Sequence, residues 1–240
     1  MFTPDSAAQR FLRTQPWHAG LPAALQQQVD AGVQMLEAAK GSVVLPAGEM
    51  VQGWYAVLSG LVMLQSPTDQ GKRSAFIGVP DGEWFGEGSA IKSEVRRYHV
   101  IALRPTTLMC LPLPLFDALR SQSLGFNQYL VQHLNMRLGQ AMTIIEAGRV
   151  GSPAYRVALY LSRLFWRSTR RLNLTQDELG QLVGLSRQTV NRVLRDLEAQ
   201  GIVRVEVGRI AIVDDDALAR TLQDAGKPAA AAAEHAPVAL

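Results

Sequence analysis

The chain has 240 residues, 48% of them hydrophobic and 19% charged, with a formal net charge of +3. This composition supports a packed core in one large domain or two ordinary ones and excludes wholesale disorder. The single cysteine, Cys110, excludes an intrachain disulfide framework and a sulfur-ligated zinc or iron–sulfur centre within one chain.

The longest apolar runs fall far short of the roughly 18 residues of a membrane helix. The opening MFTPDSAAQR has no basic start followed by an apolar stretch. The expectation is a reduced, cytoplasmic protein without membrane association.

Residues 1–40 read as mostly helical. Pro22 suits a first turn, and Leu25, Val29, Val33 and Leu36 recur at helical spacing. Residues 41–113 change character. Short runs (SVVL, WYAVL, LVMLQ, SAFIGV, YHVIAL, TLMCL) alternate with Gly, Pro and Asp clusters, which predicts a β-sandwich or barrel. Gly41, Gly48, Tyr55 and Gly60 read as successive corners, and Thr68-Asp69-Gln70-Gly71 as a hairpin turn. A first domain is expected over residues 1–122.

From Ser123 to about Gly148 the period becomes helical. Phe126, Leu130, Leu134, Leu138, Ala141 and Ile145 form one stripe, with Tyr129, His133 and Met136 on a neighbouring face. One face covers the β domain, and the other either meets a second copy of the helix or packs within its own chain. About 26 residues span roughly 39 Å, longer than one small sandwich needs, and this favours the second copy. Residues 123–150 are expected to be this helix and a hinge.

Gly148, Gly151, Ser152 and Pro153 interrupt the pattern. Ser152 caps and Pro153 begins a new helix through Tyr155, Leu159 and Leu164. A last folded domain is expected over residues 151–220. It is followed by an Ala-rich tail over 221–240 that lacks an amphipathic face and is expected to be disordered. Between Ser152 and Val213 ten arginines face five acidic residues, a local charge of +5 that leaves −2 for the rest of the chain. Basicity gathered in one segment points to a polyanion partner.

Within that segment lies TQDELGQLVGLSRQTVNRVLRDLEAQG, residues 175–201. Thr175 and Glu178 form a capping box, Gly180 permits a close helix crossing, Gly184 supplies a tight turn, Ser186 caps a second helix and Gly201 ends it. Val183, Val190 and Val193 fall where the two helices bury apolar side chains, which leaves Arg187, Gln188, Asn191 and Arg192 facing outward. This is the pattern of a helix-turn-helix.

Arg suits guanine O6 and N7, and Gln or Asn suits adenine N6 and N7. Arg192 and Gln188 are the leading base readers, with Arg187 reading a base or holding a phosphate. Thr175, Gln176 and Ser186 stand at helix N-termini suited to phosphate. IVRVEV and IAIV around Gly208-Arg209 read as a hairpin wing with Arg209 beside the DNA backbone. The predicted partner is double-stranded DNA.

Taken together, the chain resembles the CRP/FNR family of bacterial transcription regulators. Its telling pieces are Gly41…Gly48…WYAVLSGLV, GEWFGEGSA and LTQDELGQLVGLSRQTVNRVLRDLEAQGIV, and the resemblance covers about Gly41 to Val213. It implies an α+β fold: a cyclic-nucleotide-binding-like jelly-roll sensor domain, a long dimerisation helix and a C-terminal winged helix-turn-helix. It also implies a homodimer on a palindromic operator, with RNA polymerase as a further partner.

The segment Phe85-Gly86-Glu87-Gly88-Ser89-Ala90 with Arg97 resembles the family's phosphate-binding cassette, which makes Gly86, Glu87, Gly88, Ser89, Ala90, Arg97, Tyr98 and Met142 candidate effector contacts. A cyclic nucleotide or another small anionic effector is the implied ligand, with Arg97 neutralising phosphate and Glu87 accepting a ribose hydroxyl. The pattern also departs from the cyclic-AMP-binding members. Tyr98 stands where they carry a small hydroxyl residue, and Ala141 and Met142 align with their Thr-Ser pair. These departures disfavour cyclic AMP. A structural corner with Arg97 paired to Glu94 is the equal alternative.

The other branches of the family fit less well. Cys110 sits alone in an apolar run and reads as a core thiol, well ahead of a redox sensor. His18, His99, His133 and His235 are too scattered to read as a haem or metal site, and His133 reads as an interface histidine. Trp54 and Trp84 read as packing residues. A cupin-like jelly-roll enzyme would need clustered ligands on the barrel interior, where the β region offers only His99. No catalytic residue or metal ligand is assigned. The remaining rival is a ligand-independent DNA-binding regulator whose β domain is a dimerisation scaffold.

Overall fold

Ser6 opens the first helix, α1 (Ala7–Arg13), through a complete capping box with Gln9. The computed structural model describes residues 6–67, 75–162, 174–206 and 208–225. The second helix, α2 (Ala23–Gly32), buries Leu25 and Val29 as its spacing predicts. It stops at Gly32. Val33 is already extended, and Gln34–Ala38 is a strand, β1. Leu36 therefore lies in a strand, opposite Leu108, and not on the helical stripe read from the sequence. The ladder offered by the later strand β8 (Thr106–Pro112) outweighs a local helical period that is only four residues deep.

The β region follows with β2 (Val43–Leu45), β3 (Gly53–Ser59), β4 (Leu61–Gln65), β5 (Ala75–Pro80), β6 (Trp84–Phe85) and β7 (His99–Ala102) before β8. A short helix, α3 (Glu87–Lys92), interrupts them. Two four-stranded sheets form, in the orders β1-β8-β3-β6 and β2-β7-β4-β5. Every pairing is antiparallel. This is the jelly-roll sandwich expected, and Val57, Val62, Val79, Val100 and Leu108 fill the space between its sheets. Gly60 turns β3 into β4 with φ of 109°, where a Cβ would stand 2.4 Å from Thr106 Oγ1 and 2.8 Å from Pro105 O. Tyr55, read as a corner, is instead inside β3, paired with Phe85 and Cys110. The turn expected at Thr68–Gly71 lies outside the described residues.

One end of the sandwich is plugged by aromatic rings. Trp54 stacks on Trp84 with centroids 4.1 Å apart, and Phe116 and Phe126 meet Trp54 edge-on. Trp17 meets Phe126 edge-on, and Trp84 Nε1 donates to Gln15 Oε1 at 2.9 Å. The N-terminal helices are thus fixed onto the same core as α4 (Leu113–Gln122) and the long α5 (Leu124–Val150).

The apolar stripe on α5 does not stay on one side. Phe126 and Leu130 are buried, but Leu138 and Ile145 are exposed. Spacings near 3.8 residues drift around a 3.6-residue helix. A second pattern emerges on the outer surface. Leu124, Val131, Leu138 and Ile145, each seven residues from the next, are 57% to 75% exposed, with Met142 beside them.

Ser152 accepts from Tyr155 N and Pro153 opens α6 (Pro153–Leu161); Leu164, expected in this helix, lies outside the described residues. Then come α7 (Gln176–Val183), α8 (Arg187–Ala199), the hairpin β9 (Val203–Glu206) and β10 (Arg209–Ile212), and α9 (Asp215–Ala225). The last helix runs five residues into the stretch expected as tail; residues 226–240 lie outside the described residues.

The C-terminal elements share a core with the sandwich. Leu61, Met63 and Leu103 join the cluster formed by Tyr160, Leu174, Leu179 and Val183.

Candidate functional site

Two surfaces gather the residues singled out in the sequence. The first is built by α7, α8 and the β9–β10 hairpin. Thr175 Oγ1 accepts from Glu178 N at 3.2 Å, and Glu178 Oε2 accepts from Thr175 N at 2.8 Å, closing the expected capping box. Gly184 adopts φ of 66° between the helices, a left-handed turn that favours glycine. Ser186 accepts from Thr189 N and starts α8. Val183, Val190 and Val193 are buried as predicted, and a Cβ on Gly180 would meet Leu185 O of the turn at 3.4 Å and Val190 Cγ2 of α8 at 3.7 Å.

What remains on the outside is basic. Arg187, Gln188 and Arg192 are exposed. Arg187 Nε also lies 3.7 Å from Asp177 Oδ1 across the two helix starts. Asn191 departs from expectation: it is half-buried, and its buried amide oxygen has no hydrogen-bond partner. Its position turns it toward the helix crossing by about 100° relative to Arg192. Thr175 and Gln176 are half-buried at the start of α7. Arg209 sits at the hairpin beside Gly208, ion-paired with Glu206 of the facing strand. Arg195, not singled out in the sequence, is exposed one turn beyond Arg192. The helical interval from Arg192 was the signal for it.

The second surface is a pocket of about 360 Å³ between β5, the β6–α3 segment and α5. Gly86, Glu87, Gly88, Ser89, Arg97 and Tyr98 all border it. Ala90 and Met142 do not. Ala90 is fully buried because the turn of α3 aims it into the aromatic core, and Met142 is 63% exposed on the outer face of α5 while its neighbour Ala141 borders the pocket. Arg137, missed in the sequence, also borders it. Tyr129, His133 and Arg137 recur every four residues, and that polar stripe inside an apolar helix was a readable signal.

These residues form a buried charged layer under α5. Arg137 Nη2 lies 2.7 Å from Glu83 Oε2 and donates to Trp84 O at 2.6 Å. His133 Nε2 lies 3.5 Å from Glu87 Oε2, at the edge of hydrogen-bond range. The rings of Trp54 and Tyr129 flank the imidazole. Burial works to raise the Glu87 carboxyl, but contact with His133 and the Arg137 charge outweigh it and hold Glu87 below the usual carboxylate range. Burial and the Glu87 charge push the Tyr98 phenol up to about 12, so it stays protonated.

Arg97 turns to Glu94 at 3.3 Å, and Lys92 reaches the same carboxylate at 2.6 Å. Arg97 thus has the carboxylate partner named for it in the sequence and also borders the pocket.

The other candidates resolve structurally. His18 pairs with Asp30 at 2.7 Å, and His99 Nδ1 accepts from Ala47 N at 3.1 Å; His235 lies outside the described residues. No group of three metal-ligating side chains occurs among the described residues. Burial pushes the Cys110 thiol up to about 11. No described helix is long and apolar enough to cross a membrane.

Two domain families match the chain. Residues 35–123 match the cyclic nucleotide-binding domain family, and residues 155–221 match the Crp-like helix-turn-helix domain family. The chain is 29% identical over 174 residues to the cyclic AMP receptor protein of Thermus thermophilus, covering 72% of this chain and 81% of the relative. It is 24% identical over 180 residues to the cAMP-activated global transcriptional regulator CRP of Haemophilus influenzae, covering 72% and 80%. The crystal structure of TTHA1359, a CRP/FNR-family transcriptional regulator of Thermus thermophilus, superposes with a TM-score of 0.61 at 26% identity, covering 80% of this chain and all of that one.

Proposed function

Because this chain belongs to the CRP/FNR family of transcription regulators, we propose that it acts as a cytoplasmic homodimer. In this reading the two α8 helices read a two-fold symmetric DNA site, and a small effector in the β domain sets the affinity. The single observation that carries this reading is the outer face of α5, where four large apolar side chains repeat every seven residues in water. Such a repeat occupies one of the two core positions of a two-stranded coiled coil, and Met142 takes the other position once. Burying each side chain against a second copy stabilises by roughly 1.5–3 kcal/mol.

In this reading residues 1–122 are the sensor, 123–150 the dimer helix and hinge, and 151–220 the DNA-binding domain. Arg192 and Gln188 read bases. Arg187 and Asn191 support them, and Thr175, Gln176, Ser186 and Arg209 hold phosphates. RNA polymerase is the protein partner through which bound dimers act, and the chain is not an enzyme. Gly86 to Ser89 with Arg97 and Tyr98 frame the effector, which leans on Ala141 of the dimer helix. Displacing that helix repositions α8 across Gly148–Pro153.

Selection from a randomised duplex pool tests the reading. Enrichment of inverted half-sites about one helical turn apart supports it, and the absence of any enriched sequence contradicts it. The second reading, a ligand-independent regulator, is favoured by Tyr98 and by the Glu94 pairing of Arg97. It predicts the same site with an affinity that no effector changes.

A further inference from the structure

We propose that the pocket beside α5 takes a small organic acid with an apolar body, its carboxylate held at the Lys92–Arg97 mouth, and does not take a cyclic nucleotide. This rests on the effector reading of that pocket given above.

The walls carry the first argument. Leu64, Phe76, Ile77, Phe85, Ala141 and Ile144 form the apolar part of the lining, and none of the six has a side-chain hydrogen-bonding group. A purine placed against them would bury its ring nitrogens and exocyclic group unpaired, and each such group is costly. An alkyl or aryl body loses nothing there. At about 360 Å³ the pocket lies at the small end of the roughly 300–1,000 Å³ typical of ligand sites.

The place a nucleotide phosphate would need has a phenol beside it. Gly86 has φ of 90°, and the Tyr98 hydroxyl lies only 3.8 Å from where a Cβ on Gly86 would stand. The phenol thus adds bulk beside Gly86, where a smaller residue would leave more room for an anion. Tyr98 remains a neutral donor there and brings no positive charge.

The acceptor a sugar hydroxyl would meet, Glu87, is buried and already faces a histidine. Glu87 faces His133 at 3.5 Å, and the His133 side chain is 4% exposed. Drawing the carboxylate to a ligand hydroxyl would take its charge away from the buried imidazole it faces.

The mouth, by contrast, has positive charge to spare. Lys92 and Arg97, 55% and 74% exposed, share the single carboxylate of Glu94. A ligand carboxylate there stays hydrated on one side and gains a charge-assisted contact without deep burial. Its apolar body then rests on Ala141 and Ile144, on the helix that carries the dimer seam.

Isothermal titration of the full-length protein with sodium octanoate, phenylacetate, cyclic AMP and cyclic GMP tests the inference. The expected result is saturable binding of octanoate or phenylacetate at one site per chain and none of either nucleotide at millimolar concentration. Arg97→Ala should weaken acid binding about tenfold. Ala141→Glu places a carboxylate on an exposed helical position facing the cavity and should abolish it, with the circular dichroism melt unchanged.

Cyclic AMP binding more tightly than either acid overturns the proposal. So does acid binding that survives Ala141→Glu, and so does the absence of binding by any probe. DNA anisotropy on the same samples separates the two layers. An acid that binds without changing DNA affinity supports the ligand class and removes effector control. Cyclic AMP that binds and changes DNA affinity supports effector control and removes the ligand class.

Discussion

Arg104, in the turn between β7 and β8, grips Glu178, in the first turn of α7, with two parallel bonds: Nε to Oε1 at 2.8 Å and Nη2 to Oε2 at 2.6 Å. The Glu178 side chain is 5% exposed and also caps its own helix through Thr175 N. One carboxylate therefore starts the helix-turn-helix and fastens it to the β sandwich. The apolar cluster of Leu61, Met63 and Leu103 with Leu179 and Val183 closes the same interface.

Removing the arginine leaves a buried charge with only its capping bond. Arg104→Ala should destabilise the chain by about 1.5–3 kcal/mol, the range for hydrogen bonds to charged groups, because Arg104 is itself partly exposed and water can enter. Urea denaturation at neutral pH measures this. An unchanged midpoint would show that the pair adds nothing to domain docking.

The Glu87–His133 contact makes stability pH-dependent. The folded Glu87 carboxyl titrates below its unfolded value of about 4.5, so its contribution is complete above that pH. It is lost as pH falls through the lower, folded value. Glu87→Gln should lower the melting temperature at pH 7 and flatten the decline between about pH 5 and 3. Parallel decline of variant and wild type over that window would remove Glu87 from the acid response.

Cys110 should be inert. It is 3% exposed, and burial holds its thiol near 11. At pH 8 Ellman's reagent should release no colour from the native protein and one equivalent after denaturation. Rapid native labelling would reopen a redox role.

On the DNA-binding side, Arg192→Ala and Gln188→Ala should each cost about 1–3 kcal/mol on the selected site and relax specificity at one position. Arg209→Ala should weaken all sequences alike and reduce the salt slope by about one. Competition titrations at several salt concentrations separate these outcomes. A uniform loss for Arg192→Ala would make it a phosphate contact.

The sequence made the helix-turn-helix legible nearly residue by residue, because its signals are local: Thr175 with Glu178, Gly184 at the turn, Ser186 at the cap. The strands of the sandwich were equally visible between their turn residues. What escaped was non-local. Gln34–Ala38 reads as helix until β8 offers it a ladder.

Leu138 and Ile145 sit on one apolar stripe with Phe126, yet the helix rotates them away from the core. Asn191 looked outward until the crossing with α7 half-buried it. Arg137 announced itself only through a polar stripe whose partners, Glu83 and Trp84, lie more than fifty residues earlier.

The central claim is a dimer, joined along α5, that reads two half-sites. Selection from a randomised duplex pool with the wild-type chain and with Leu138→Glu, whose substituted side chain is already 60% exposed in the single chain, tests it most directly. The account predicts that the wild type enriches inverted half-sites about 10 base pairs apart, and that the variant keeps its fold but sediments as a monomer and enriches none. Equal enrichment of the paired site by a monomeric Leu138→Glu protein would contradict it.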